Sequence, residues 1–147
     1  MESTFGRTIP SVPWTGQKIE PYAIGAIIDL GNCLDLTESV SLRIVKESYK
    51  YLAFMNEISE TPMPVNESGF TGDDDLIKRY LDCAVIHNVH ALREEEELEP
   101  FSTVRAPFTE GKELFTGSKI QSKTHIQICV REPARIRGIF RIKEQLV

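Results

Sequence analysis

The chain has 147 residues, of which 41% are hydrophobic and 27% charged, and this length and balance are ordinary for one globular domain. Its net charge of −5 argues against general nucleic-acid binding, although a local basic patch is compatible with it. No apolar run approaches the roughly 20 residues of a membrane span, and no basic-then-apolar signal peptide opens the chain, so we predict a cytoplasmic protein.

Residues 1–21 are interpreted as an irregular N-terminal arm, because prolines and glycines punctuate them and no periodicity survives. A second interpretation is that they are the remnant of a longer N-terminal region. Residues 22–147 are the predicted single domain. Its first element, 22–30, is a short apolar run between a proline and a glycine, which favours a buried strand. Gly25 in its middle indicates a bulge or the close approach of other backbone.

A first helix is predicted over residues 37–58. Asp35 and Glu38 have the spacing of a capping box at its start. Apolar residues then recur at helical spacing and form one stripe along the helix. Three aromatic residues widen this stripe and are interpreted as core packing: Tyr49, Tyr51 and Phe54.

A second helix is predicted over residues 74–96, after a loop at 61–73. The acids Asp73, Asp74 and Asp75 at its start favour the positive end of the helix dipole. A metal site is the sharper interpretation, but adjacent acids on one turn do not converge on one ion, so we predict no metal. His87 and His90 lack the spacing of a zinc-binding pair. Because His90 falls opposite the apolar face, we expect it to be solvated.

Residues 124–130 alternate between β-branched and polar side chains, which is typical of a half-buried strand. We predict a central strand that buries its β-branched side chains and presents His125, Gln127 and Cys129 along a polar cleft. The preceding segment, 101–108, is extended, and Pro107 restricts it to an edge or a short strand.

Residues 135–142 alternate as well and follow a turn at 131–134, which predicts an antiparallel pair of strands at the C-terminus. The outward face of this last strand is basic, and it either protects a sheet edge or docks phosphates or an acidic partner. Helices early and locally paired strands late indicate an α+β fold. The predicted sheet is mixed, mostly antiparallel, includes 22–30 and 124–130, and carries the two helices.

Three scattered cysteines, Cys33, Cys83 and Cys129, have neither the even number nor the spacing of a disulfide framework or a zinc knuckle. Their apolar neighbours favour buried free thiols in a reducing compartment. The alternative is a thiol nucleophile, and Cys129 is the candidate because a histidine lies nearby in the sequence.

Polar side chains concentrate between residues 105 and 127, around a glycine-containing loop and the strand that follows it. Such a loop commonly holds a substrate against a rigid edge. Lys123 or Arg105 could hold a phosphate, with Thr124 beside them, and Glu110 or His125 could move a proton. The alternative is structural, with Arg105 paired to Glu110 and His125 satisfied on the sheet.

Four stretches of this sequence resemble an uncharacterised bacterial and phage family whose larger members carry upstream segments like those of ADP-ribosyltransferases. The stretches are Tyr22 to Leu36, Leu81 to Ile86, Pro100 to Gly111 and Lys123 to Gly138. The blocks Ile24 to Leu36 and Lys123-Thr124-His125-Ile126-Gln127-Ile128-Cys129-Val130 resemble the family pattern, whereas Ala106-Pro107 departs from it.

The resemblance implies part of an ADP-ribosyltransferase fold that acts on NAD as a toxin or phage-defence component. Such enzymes place a carboxylate on a late strand, near the ribose whose positive charge grows in the transition state. Gln127 matches that position and can orient the ribose without supplying charge. Arg105, Lys123 and Thr124 would then bind the cofactor, and Glu110 and His125 would assist catalysis. The alternative is a non-catalytic interaction module that binds a protein partner or an antitoxin through the basic C-terminal face or Glu94 to Glu97.

Overall fold

The computed structural model describes residues 23–69 and 76–141, and the predicted arm and the acids at 73–75 lie outside them. The α+β class with two principal helices is confirmed. The elements in chain order are β1 (Ile24–Ile28), β2 (Cys33–Asp35), α1 (Ser39–Ile58), α2 (Tyr80–Glu95), β3 (Thr103–Phe108), β4 (His125–Val130), a 3-10 turn (Pro133–Arg135) and β5 (Ile136–Arg141).

Strands β2, β3 and β4 form one sheet in that order, with β2 parallel to β3 and β3 antiparallel to β4. The central strand is therefore β3, so the edge alternative for 101–108 and the central strand predicted at 124–130 were wrong, whereas the short-strand alternative fits the six residues of β3. Pro107 is tolerated in β3 because β2 pairs only as far as Arg105. The Arg105 carbonyl accepts a bond from the β2 side, and alternation turns the missing donor of Pro107 to the same side, beyond the end of β2.

Strand β1 pairs with β5 in a separate two-stranded antiparallel sheet. The single sheet containing 22–30 and 124–130 and the pairing of the last two strands were thus wrong. The 3-10 turn redirects the chain after β4, and the Asp29 amide donates to the Arg135 carbonyl at 2.9 Å, which starts the pairing of β5 with β1. Strand β1 is not buried, since Ile24 and Ile27 are each 60% exposed.

Gly25 lies against an aromatic side chain rather than against the other backbone that the sequence predicted. It pairs with Phe140, and a Cβ on Gly25 would lie 2.3 Å from that aromatic ring. The register also shifts between Ile27 and Ile28, as a bulge would produce. A side chain at position 25 would therefore displace the phenyl ring from the sheet surface.

The core lies between the helices and one face of the three-stranded sheet. Buried Leu34, Val89 and Phe101 form its centre, and Val104 packs against them. Because Leu34 pairs with Val104 and Val104 with Cys129, these positions share the helix-facing side.

The same alternation places Gln127 and His125 toward the helices and the apolar residues of β4 on the opposite face. Ile126 and Ile128 are accordingly 52% and 40% exposed. The prediction that they belong to the core was wrong, because the helices lie on the Gln127 side of the sheet, and a groove separates them from β4.

Helix α1 begins at Ser39 without the predicted capping box, since the side chain of its N-cap residue Glu38 makes no capping hydrogen bond. Asp35 belongs to β2 and accepts hydrogen bonds from the backbone and the hydroxyl of Thr37 at 2.9 and 2.7 Å. The aromatic residues predicted for the core are exposed on α1, where Tyr49 lines a groove: Tyr49, Tyr51 and Phe54. Neighbouring elements cover only part of the predicted apolar stripe of α1.

Helix α2 begins at Tyr80, later than the predicted residue 74. Lys78 is still extended and forms an antiparallel bridge with Glu67 through two backbone bonds of 2.9 and 3.0 Å. The Asn66 side-chain oxygen accepts bonds from the amides of Leu81 and Asp82 at 2.9 and 3.3 Å. A residue distant in sequence thus satisfies the first turn of α2.

A buried set of hydrogen bonds joins the two helices. Asn88 donates from its amide nitrogen to the carbonyl and the hydroxyl of Ser48 at 3.0 and 2.9 Å, and the Ser48 hydroxyl donates to the Val85 carbonyl at 3.2 Å. These bonds fix the axial position of α1 against α2.

In the described residues, neither helix combines the length and apolar character needed to cross a membrane.

Candidate functional site

A groove of about 820 Å³ lies between the helices and the three-stranded sheet. Its apolar wall includes Val45 of α1, Val85 and Ile86 of α2, and Val104 and Ala106 of β3. Sites for small molecules commonly have about 300–1,000 Å³ and mostly apolar walls with a few polar groups. The size and lining of this groove therefore suit a ligand with extended apolar or planar parts.

The charged side chains along the groove are mostly cationic. Lys46, Arg79 and Arg131 line it, whereas Asp82 is the single carboxylate among the described lining residues. The groove is therefore locally basic in a chain whose net charge is −5. This local excess favours an anionic ligand, because low-dielectric walls strengthen the field of fixed charges.

Arg79 is the cation whose surroundings are best defined. Its guanidinium lies 3.5 Å from the Asp82 carboxylate and 3.8 Å from that of Glu110, and its centre is 5.6 Å from the Phe108 ring centroid. Its Nε is buried and has no hydrogen-bond partner among the described residues. With 33% of its side chain exposed, Arg79 can present its terminal guanidinium nitrogens, but not its Nε, to a ligand in the groove.

Gln127 belongs to a short polar chain at the end of the groove. The His125 Nδ1 donates to the Lys123 carbonyl at 2.6 Å, and Gln127 Nε2 lies 2.7 Å from His125 Nε2. Because a carbonyl only accepts, Nδ1 carries the proton, and Nε2 accepts from the Gln127 amide. The imidazole also stacks on Phe108 at 5.7 Å. His125 thus orients Gln127, which lines the groove, while its own ring nitrogens are both engaged.

The engagement of His125 weakens the case for a thiol nucleophile at Cys129. Cys129 lines the groove, but neither imidazole nitrogen is available as its base. All three cysteines are free, and Cys83 and Cys129 are exposed, so the prediction of buried thiols was wrong for these two. Both thiols lie at the groove, which is open to solvent.

The predicted phosphate-binding residue Arg105 does not reach the groove. It lies on the other face of the sheet, where its guanidinium contacts the Asp35 carboxylate at 2.7 Å. Hydrogen bonds from Thr37, followed by the one from Arg105, lower the pKa of Asp35 to about 2. Arg105 therefore joins β3 to β2, and the alternative of an Arg105–Glu110 pair was wrong.

The other predicted residues divide between the groove and the loop before β4. Glu110 faces Arg79, with 21% of its side chain exposed. The Lys123 amide donates to the Glu110 carbonyl at 2.9 Å and closes the loop of residues 111–122, in which Gly111 and Gly117 have positive φ. Lys123 and Thr124 are exposed. The structure thus brings Gln127, His125 and Glu110 near the groove, but not Arg105.

His90 is a residue that sequence reasoning misplaced. It lines the groove and packs edge-on against Phe101, with 6.1 Å between ring centroids. Both ring nitrogens are inaccessible to solvent and have no partner among the described residues. Burial, and then the positive charge of Arg131, lowers the pKa of His90 to about 4. The prediction of a solvated histidine was wrong, because the face of α2 that lines the groove is wider than the apolar stripe predicted for that helix.

Arg79 was missed because the sequence placed it inside a helix that was predicted to begin at residue 74. It occupies the N-cap of α2, where the helix dipole disfavours a cation and where acids or small polar residues are usual. A local preference broken at a helix end is the kind of conflict that marks functional positions.

In residues 23–69 and 76–141, no three His, Cys, Asp or Glu side chains converge as metal ligands.

Comparison of this chain with protein-family models, with curated proteins and with solved structures gives no match.

Proposed function

We propose that this domain binds NAD in the groove between the helices and the three-stranded sheet, as an ADP-ribosyltransferase-like domain. The observation that carries the proposal is the joint presence of apolar walls, three cations and the Gln127 amide around one groove. A dinucleotide combines flat ring systems, a diphosphate and ribose hydroxyls, and each finds a matching group there.

Arg79 and Arg131 are the groups we assign to the diphosphate. Arg131 already donates to the Phe101 carbonyl at 3.0 Å, which holds its guanidinium in place, and Arg79 lines the groove with 33% of its side chain exposed. Arginine suits phosphate because its planar donors match two oxygens at once. Gln127, oriented by His125, would bind a ribose hydroxyl, and the apolar wall would take the nicotinamide or the adenine.

ADP-ribosyl transfer also needs a carboxylate near the ribose, because positive charge develops there as the nicotinamide bond breaks. Glu110 is the candidate, since it lies 3.8 Å from Arg79 at this site. A diphosphate that binds Arg79 would compete with Glu110 and release it toward the sugar. The toxin or phage-defence role is proposed on the sequence resemblance alone.

The proposal is tested by thermal unfolding with and without NAD. A ligand that binds only the folded state stabilises it by about 2.7 kcal/mol at 100 times its dissociation constant, so millimolar NAD should raise the melting temperature. Arg79→Ala should abolish this rise. Arg105→Ala is the matched control, because it removes an arginine from the opposite face and should keep the rise despite a lower baseline stability.

Nicotinamide release separates transfer from binding alone. Wild-type protein that splits NAD should lose this activity in Glu110→Gln, while the NAD-dependent rise in melting temperature persists. If NAD leaves the melting temperature unchanged and no nicotinamide is released, the groove does not bind NAD and the proposal fails.

The second candidate is a protein-interaction module without catalysis. It is favoured by the apolar side chains that α1 exposes, such as Phe54 at 58% and Ile58 at 63%. The basic C-terminal face is a weaker candidate surface, since Arg135 and Arg137 both contact Asp29, at 3.4 and 2.8 Å. A protein partner or antitoxin would then bind the outer surface of α1 and leave the groove without a role.

A further inference from the structure

The outer edge of β4 has unpaired backbone groups whose identity follows from two hydrogen bonds. The Leu36 amide donates to the Arg105 carbonyl, and the Arg131 amide donates to the Ser102 carbonyl. Arg105 therefore faces β2, while the even-numbered residues of β3 bond to β4. With Arg105 paired to Ile128, the donors and acceptors of Ile126, Ile128 and Val130 point away from β3.

In the described part of the chain, no strand lies beside this edge. Exposed edges are usually blocked by charged side chains, prolines or bulges. Strand β4 has none of these, since His125–Val130 contains no Lys, Arg, Asp, Glu or Pro and pairs with β3 in unbroken register. On the same strand, Ile126 and Ile128 expose their side chains.

The edge is also self-complementary. Three residues point outward, so a two-fold axis through Ile128 brings Ile128 opposite its copy and Ile126 opposite Val130 of the second copy, with about six backbone hydrogen bonds. All of these side chains lie on the sheet face away from the helices and would form one β-branched cluster. Because the strand carries no charged side chain, self-pairing places no like charges opposite each other, although the chain as a whole is acidic.

We propose that the occupant of this edge is the β4 strand of a second copy of the chain, which pairs antiparallel and joins two three-stranded sheets into one of six strands. The proposal is independent of NAD. On the helix-facing side, the same register sets Gln127 opposite Cys129 of the second copy. The grooves of the two copies would therefore adjoin along the symmetry axis.

Sedimentation velocity of the full chain at micromolar to millimolar concentration tests the proposal. Wild-type protein should sediment as a dimer, with twice the monomer mass of 16.7 kDa. Ile128→Lys should sediment as a monomer at the same concentrations, because it places two ammonium groups at the axis. Ile139→Lys is the matched control: it changes an isoleucine of β5 that is 66% exposed, and it should remain dimeric.

A second variant keeps the test valid if Ile128→Lys fails to fold. Residues directly opposite in a bonded antiparallel pair have Cα atoms about 5.5 Å apart, which is within the range of a disulfide. Ile128→Cys in a Cys129→Ser background should therefore form a covalent dimer on mild oxidation. Monomeric wild-type protein, a dimer that survives Ile128→Lys, or the absence of this cross-link in a dimeric protein would each overturn the proposal.

Discussion

At the scale of single residues, His90 is the clearest conflict between a side chain and its surroundings. Its buried nitrogens have no partner among the described residues, and its pKa is lowered to about 4 from 6.5. As pH falls, the unfolded chain therefore takes up a proton before the folded one does. The contribution of His90 to the free energy of unfolding is complete above about pH 6.5 and is lost as pH falls through about 4.

We predict that His90→Leu reduces the fall in the free energy of unfolding between pH 6.5 and pH 4. Leucine cannot titrate, and it leaves no buried polar atom unsatisfied. Urea denaturation across this pH range is the measurement. His87→Leu serves as the control, because His87 lies nearly one turn away and is exposed. An unchanged pH dependence in His90→Leu would contradict the assignment of this loss of stability to His90.

Gln127 shows how far sequence reasoning could go at this scale. Alternation in β4 correctly separated Gln127 from the isoleucines, and the structure places it in a groove as predicted. The same alternation could not say which face the helices cover. Arg79 and Arg131 join the groove from the start of α2 and the end of β4, and no local pattern brings such distant positions together.

At the scale of elements, a polar contact joins the two helices beside the apolar core. Asn88 supplies two of the buried bonds to Ser48. We predict that Asn88→Ala lowers the free energy of unfolding by about 1–3 kcal/mol, because it leaves a buried acceptor without its partner. Asn56→Ala is the matched control, since the bond of the Asn56 side chain within the described residues is to the sulfur of Met63. Equal losses in both variants would contradict a special role for the Ser48–Asn88 contact.

The strands illustrate why element type was easier to predict than element position. The alternation of residues 124–130 and 135–142 identified β4 and β5, and glycine identified the tight contact in β1. The predicted position of β3 at a sheet edge was wrong, because Pro107 excludes a central strand only where a partner strand extends alongside it. Because β2 has only three residues, Pro107 can lie in the central strand of the sheet. The sequence of β3 does not reveal the length of its partner strand.

At the scale of the whole molecule, the order of helices and strands was sufficient for the α+β class. It was not sufficient for the division into two sheets, since the 3-10 turn at Pro133–Arg135 directs β5 away from β4. The described residues bury few large side chains and leave a broad groove and an open sheet edge. These two surfaces carry the proposals for NAD and for a second copy.

The most direct test of the NAD proposal is a titration of the isotope-labelled full chain with NAD, followed by backbone amide chemical shifts. We predict changes at groove residues on three elements, namely Val85 of α2, Ala106 of β3 and Gln127 of β4, with amides of the β1–β5 sheet unchanged. Arg79→Ala should remove these changes. Millimolar NAD that leaves all groove amides unchanged, or that shifts only the amides of β1 and β5, would contradict the account.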